Sequence, residues 1–237
     1  MVDITKIKIG LLGFGKTGRV VAQNIRHDKR FALVFVAKKK AIKPDEFDFV
    51  VESKEFIGEL VNRFEPDVVV DFTTPDAVML NISTLREETG YIIATTGFTG
   101  VQLNKIKEYE HLKVLYAPNI SDGINLVIKA CELFNQIWNN ADVEIVEQHF
   151  KDKKDSPSGT AKKIAKAFNR KVPIHGVRAG GIIGVHEIIL ATDNQKITLK
   201  HESFNKDVFA EGVKRAAIWL MDKECGFYEI DEVYKRA

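Results

Sequence analysis

Five short apolar runs constrain what this chain can fold into more than any other feature. They are IKIGLL at 7–12, ALVFVA at 32–37, DVVVDF at 67–72, YIIATTG at 91–97 and KVLYAP at 113–118. Lys8 in the first apart, consecutive rather than alternate residues are apolar, as in a strand covered on both faces. Amphipathic stretches separate them. Residues 17–27 carry Val20, Val21, Asn24 and Ile25 at helical spacing, and 55–64 carry Phe56, Ile57, Leu60, Val61 and Phe64. Pro75 opens a further helix towards Arg86, where proline suits the first turn. Another helix joins the fourth and fifth strands. Strand and helix in alternation predict an α/β unit: a Rossmann-type doubly wound parallel sheet.

The rhythm changes near residue 122. Residues 123–139 form one long apolar-periodic helix. VEIVEQHF, GIIGVHEIILAT and QKITLKHES then follow as strands with little helix between them, apart from 159–169. This predicts an α+β unit with a mixed or antiparallel sheet. The expected division is a dinucleotide-binding domain over 1–122, with 207–237 packing back on it, and a substrate-binding and assembly domain over 123–206. Residues 207–221 are helical.

Charge excludes some partners. The chain holds 35 basic and 33 acidic residues, so no global field draws it to nucleic acid or to a membrane surface. No run reaches the roughly 18 uncharged apolar residues of a membrane span, and the N-terminus has no apolar core of signal-peptide length. Cys131 and Cys225 form no CxxC motif and fit a reducing cytoplasm. No spacing of His, Cys, Asp and Glu resembles a metal site, and no GxSxG turn marks a serine nucleophile.

The first turn reads GLLGFGKTG. Gly13, Gly15 and Gly18 spell GxGxxG: a tight turn, close approach of a diphosphate to the backbone, and close packing of helix on sheet. Phe14, Lys16 and Thr17 fill the same turn, whose N–H groups would meet phosphate. The same letters satisfy GxxxxGK[ST] with Gly10, Gly15, Lys16 and Thr17. Asp71 then stands where a nucleoside triphosphatase would hold magnesium. Against this P-loop, Leu11 and Leu12 carry the apolar run on to Gly13, and Gly18 is left without a role. A tight turn with no ligand also satisfies the glycines. The second strand ends at Ala37 and runs into Lys38, Lys39 and Lys40. NAD proteins place an acid there for the ribose 2′-hydroxyl. Three ammonium groups instead favour a 2′-phosphate, so NADPH is favoured, with NADH use left open.

A second stretch, HFKDKKDSPSGTAKKIA at 149–165, sets a histidine and several lysines before a helix start. A hydroxyl of the run Ser156–Thr160, together with Asp155, is placed to cap that helix. Gly159 leaves its first N–H groups uncovered, which suits a carboxylate. His149 exchanges a proton near neutral pH, and a desolvated Lys153 can give one up. A carboxylate clamp beside proton donors, paired with a nicotinamide, suits reduction of an unsaturated or imine-like acid. Simple capping with solvated lysines fits the same letters.

The block EQHFKDKKDSPSGT at 147–160 closely resembles the E-x-H-H-x-x-K-x-D-[AS]-P-S-G-T signature of the 4-hydroxy-tetrahydrodipicolinate reductase (dihydrodipicolinate reductase) family of lysine and diaminopimelate synthesis. DFTTP at 71–75, ATTGF at 94–98, APNISDGIN at 117–125, RAGGIIGVHE at 178–187 and FAEG at 209–212 agree in order. The resemblance implies a cytoplasmic homotetramer acting on a small dicarboxylate. It implies that His149 is the proton donor or acceptor, that Lys153 is the other proton donor, and that Gly159 and Thr160 bind a substrate carboxylate through N–H groups. It also implies cofactor contacts from Ala94, Thr95 and Thr96 and from Ala117, Pro118, Asn119 and Ile120. Phe150 stands where the family has a second, substrate-facing histidine. The lysines at 38–40 replace the acidic strand end of many relatives, and the glycine turn is one residue shorter than the commoner form. His186 reads as a satisfied sheet histidine, His175 and His201 as structural, and His27 and His111 as exposed helix-end residues. Arg178 fits either a substrate carboxylate or a surface salt bridge.

Overall fold

The computed structural model describes residues 6–38, 51–52 and 57–235. They divide into two compact units, one ending at Ile120 and resuming at Phe209, the other spanning Ser121–Val208.

The first unit is a seven-stranded sheet. Its strands are β1 (Ile7–Leu12), β2 (Phe31–Ala37), β3 (Val51–Glu52), β4 (Val68–Asp71), β5 (Gly90–Ile93), β6 (Lys113–Tyr116) and, from the end of the chain, β11 (Gly226–Glu229). Their order is β11-β6-β5-β4-β1-β2-β3, and every pairing is parallel. Side chains alternate across the sheet, as the strand pleat requires. Val68 and Val70 join Ile9, Leu11, Ile92 and Leu115 on one face, under α1 (Lys16–Arg26) and α7 (Asp207–Met221). Val69 joins Leu12, Phe35, Tyr91 and Ile93 on the other, under α2 (Gly58–Phe64), α3 (Pro75–Ile82) and α4 (Gly100–Lys107). Burial on both faces is why these strands read as unbroken apolar runs.

The P-loop alternative fails on this frame. The chain does not leave β1 at Gly10, which pairs with Phe35 and Val69 in mid-strand. Position 10 is glycine because a Cβ there would lie 2.4 Å from the Phe35 ring. Asp71 is wholly buried and accepts from Thr73 N (2.8 Å), the Thr73 hydroxyl, Asn81 Nδ2 (3.0 Å), Tyr91 OH (2.7 Å) and Thr95 Oγ1 (3.3 Å). A carboxylate so engaged has no lone pair to offer a magnesium ion.

The second unit carries a four-stranded mixed sheet in the order β10-β9-β7-β8. Its strands are β7 (Asp142–His149), β8 (Ile174–Arg178), β9 (Val185–Thr192) and β10 (Gln195–Glu202). Only β7 and β8 are parallel. Helices α5 (Asp122–Ile137) and α6 (Gly159–Lys166) cover one face. Ile124, Ile128, Cys131, Ile164 and Phe168 pack there on Val143, Ile145, Ile188 and Leu190.

Three helices stop earlier than their apolar spacing predicts. α3 ends at Ile82, where Ser83 Oγ and Thr84 Oγ1 bond the carbonyls of Leu80 and Asn81 and compete with the next turn. α6 ends at Lys166, shortly before Asn169 turns left-handed at φ +51°. α5 ends at Ile137, with Trp138 as its cap. Residues 53–56, part of the helix expected over 55–64, lie outside the described residues.

Candidate active site

The turn after β1 is built by its glycines. Gly13 has φ +87°, and its N–H donates to the Ala37 carbonyl at 3.0 Å, tying the turn to the end of β2. A Cβ on Gly18 would lie 2.0 Å from the Gly13 carbonyl oxygen. Glycine there lets α1 sit close against the turn. Gly15 caps α1, and a Cβ on it would meet nothing within 4 Å. The first turn of α1 contains no acidic residue. The turn therefore offers a helix start with open space and no acid against it, which fits the diphosphate of a dinucleotide.

The other residues expected at the cofactor divide by burial. Lys16 and Thr96 are exposed, whereas Thr17, Lys38, Ala94, Pro118 and Asn119 are half-buried. Phe14, Thr95, Ala117 and Ile120 are buried, so those positions present backbone rather than side chain. Thr95 and Ala117 hold loops in place: Thr95 Oγ1 bonds Asp71, and Ala117 N bonds the Ile93 carbonyl at 2.9 Å. Lys39 and Lys40 lie outside the described residues.

In the second unit the covered face of β7 changes from apolar to polar along its length. Val143, Ile145, Glu147 and His149 are its buried residues, in alternation. The two side chains nearest its C-terminal end thus face one way, as residues two apart on a strand must. Glu147 is wholly buried. Its Oε2 meets His149 Nδ1 in a short contact, and its Oε1 accepts from Arg178 Nη2 at 2.7 Å and from Ser158 N at 3.2 Å. Arg178 stands opposite His149 in the β7–β8 register, and Gly176 stands opposite Glu147. A Cβ on Gly176 would lie 3.0 Å from Glu147 Oε1 and 2.3 Å from Ser156 Oγ. Arg178 Nη2 also donates to the Asp155 carbonyl, which ties the loop before α6 to the sheet.

The loop delivers the remaining groups. Lys153 Nζ donates to Asp155 Oδ1 at 2.6 Å, and Gly159 N donates to Asp155 Oδ2 at 3.3 Å. An ammonium and a helix N–H thus converge on one carboxylate, that of Asp155. Ser158 caps α6 through Ala161 N at 3.1 Å. Thr160 is half-buried in the first turn, and Phe150 is 43% exposed beside His149 in sequence.

Electrostatics sort these groups. Burial pushes the Glu147 carboxyl up, but bonds from Arg178, His149 and Ser158 outweigh it and hold the group below its usual value. Burial pulls the His149 imidazolium down, with Glu147 opposing and Lys153 and Arg178 assisting. Asp155 is held low by its bond from Lys153. His186 is pulled down to about 4 by burial and by the neighbouring His149 and His201 rings. Its ring stands edge-on to His149 at 5.3 Å. The expectation of a satisfied sheet histidine needs correcting. His186 Nε2 lies 3.5 Å from Ser158 Oγ, but its Nδ1 is buried without a hydrogen bond among the described residues, as is that of His201. Arg178 pairs with neither solvent-exposed acid nor open space, but with a buried glutamate.

Comparison with known proteins decides the family. The model described as "Dihydrodipicolinate reductase, N-terminus" matches residues 7–120, and "Dihydrodipicolinate reductase, C-terminus" matches 123–234. The chain belongs to the dihydrodipicolinate reductase family. Among curated members, the 4-hydroxy-tetrahydrodipicolinate reductase of Rickettsia bellii is 36% identical, over 97% of this chain and 95% of its own. That of Thermosipho africanus is 32% identical, over 98% and 99%. A dipicolinate-bound dihydrodipicolinate reductase from Paenisporosarcina sp. TG-14 superposes with TM-score 0.80 at 28% identity, covering 95% of this chain and 98% of that one.

Two features of this family member were not assigned from sequence. Glu147 was part of the matched block without a role. Its signal was present: a Glu-x-His pair on a strand shares a face. The Asp71 hub needed the tertiary fold, since its donors lie up to 24 residues away.

Proposed function

We propose that the chain reduces 4-hydroxy-tetrahydrodipicolinate to tetrahydrodipicolinate with NAD(P)H, in lysine and diaminopimelate synthesis. The observation that carries this reading is the presence, in one unit, of a buried imidazole whose electrostatics include Lys153, and of an ammonium and a helix N–H that meet on the single carboxylate of Asp155. Family membership and the dipicolinate-bound relative support a ring dicarboxylate as the acid bound.

In this reading Gly159 and Thr160 bind a substrate carboxylate through their N–H groups, and Lys153 turns from Asp155 to the substrate. The Gly13–Gly18 turn would hold the diphosphate of a nicotinamide dinucleotide, which would supply the hydride for C4 of the cyclic unsaturated imine acid once water has left the hydroxylated carbon. The electrons displaced move to the ring nitrogen. Lys153 stabilises that developing charge, and His149 with Lys153 completes protonation. The balance is one NAD(P)H and one proton consumed, with one water and one oxidised cofactor released. Phe150 contributes apolar area where relatives offer a hydrogen bond. Lys38, at the end of β2 with no acid in its place, supports NADPH over NADH. The free cysteines, Cys131 buried and Cys225 exposed, accord with a reducing cytoplasm, and the family resemblance supports a homotetramer.

The test is turnover. Freshly generated 4-hydroxy-tetrahydrodipicolinate should cause NADPH absorbance to fall, with a higher kcat/KM for NADPH than for NADH. A folded protein that binds NADPH and turns over with neither cofactor would make it a nicotinamide-binding module instead.

A further inference from the structure

Glu147 takes no part in the steps above, yet three separate groups bond its carboxylate. It is wholly buried, and it joins three separate pieces of chain: His149 on its own strand, Arg178 on β8 and the Ser158 cap of α6. Gly176 keeps clear the space its carboxylate fills.

We propose that Glu147 is the positioning residue for proton transfer at His149. It holds the Nδ1 proton so that Nε2 is the atom that exchanges with substrate, while Arg178 and the Ser158 N–H lock the carboxylate in place. This deepens the reading of His149 as a proton donor and rests on it.

The argument is one of donors and acceptors. An ionised carboxylate can only accept. The bond between Glu147 and His149 must therefore carry a ring proton on Nδ1. In the neutral ring this leaves Nε2 as the basic atom, and in the charged ring as the acidic one. Nε2 makes no hydrogen bond among the described residues. Its neighbour is Gly184, where a Cβ would come to 3.4 Å. Glycine there leaves that edge of the ring uncovered. The carboxylate also offsets part of the cost that burial places on the imidazolium. Other charged or titratable groups near the ring are Arg178 from β8, Lys153 from the loop and His186 from β9, with His201 on β10 behind it.

Glu147→Gln reads this directly. The Oε1 side faces two donors, Arg178 and the Ser158 N–H, so the amide must turn its oxygen there. Its NH2 then faces Nδ1, which has to accept, and the proton moves to Nε2. The tautomer is inverted in a side chain of unchanged shape. Two readouts test this on the full chain. The first is 15N NMR of histidine-labelled protein without substrate: neutral His149 should be the Nδ1–H tautomer in the wild type and Nε2–H in the variant. The second is kinetic: kcat should fall by about 10²–10³-fold with KM for NADPH within about threefold. The alkaline limb of kcat should move about one unit lower, because the charged ring has lost its counter-ion. An Nε2–H tautomer in the wild type overturns the proposal, as does a folded variant with kcat within about threefold and an unmoved limb. Should Glu147→Gln fail to fold, the wild-type tautomer alone decides. A wild type that shows Nδ1–H but no turnover would refute the proposed reaction and leave the positioning intact.

Discussion

Lys153 is the residue on which the proposed chemistry turns. Its ammonium bonds Asp155 with its side chain 23% exposed, partly withdrawn from water. Lys153→Ala should lower kcat by at least about 10²-fold, the scale of a lost general acid or electrostatic partner. Steady-state kinetics with NADPH checks this, and full activity in the variant would remove the assigned role. His186 makes a different demand. Its folded value of about 4 lies below the ordinary 6.5, so the unfolded chain takes up a proton first as pH falls. Its contribution to stability is whole above about pH 6.5 and is lost as pH falls towards 4, a change of about 3 kcal/mol. Urea unfolding at pH 7 and pH 4 should show His186→Phe losing less stability than the wild type by about that amount. Equal losses would mean the ring is not buried neutral.

At the scale of elements, each site stands where an ordered strand passes into a helix. Position 18 shows how tightly the first is drawn. Gly18→Ala sets a methyl 2.0 Å from a backbone oxygen, so α1 must move off the turn. Stability should fall by about 2 kcal/mol and NADPH affinity by at least about tenfold, read by urea unfolding and cofactor titration. An unchanged affinity would place the diphosphate elsewhere. The same contrast explains what was legible in the letters. β1, β2, β4, β5 and β6 announce themselves because burial on both faces leaves runs that are mostly apolar, with Lys8 near the start of β1 as an exception. β11 does not, since GFYE is only half-buried at the sheet edge and ends in an acid. The 147–160 block could be matched letter by letter. Its internal bonds could not, because Arg178 reaches Glu147 through a strand register set 31 residues away. The orphaned Nδ1 of His186 is likewise a consequence of packing, invisible in GVHEII.

For the whole molecule, the proposed reaction assigns the dinucleotide to the parallel-sheet unit and the acid to the mixed-sheet unit. β10 is an edge strand with most of its residues exposed, a surface that an isolated chain has reason to cover. The most direct test follows the hydride itself. With NADPH deuterated at the transferring C4 position and freshly generated 4-hydroxy-tetrahydrodipicolinate, mass spectrometry should find one deuterium at C4 of the tetrahydrodipicolinate product. Product without deuterium, or no product from a folded chain that binds both ligands, would contradict the account.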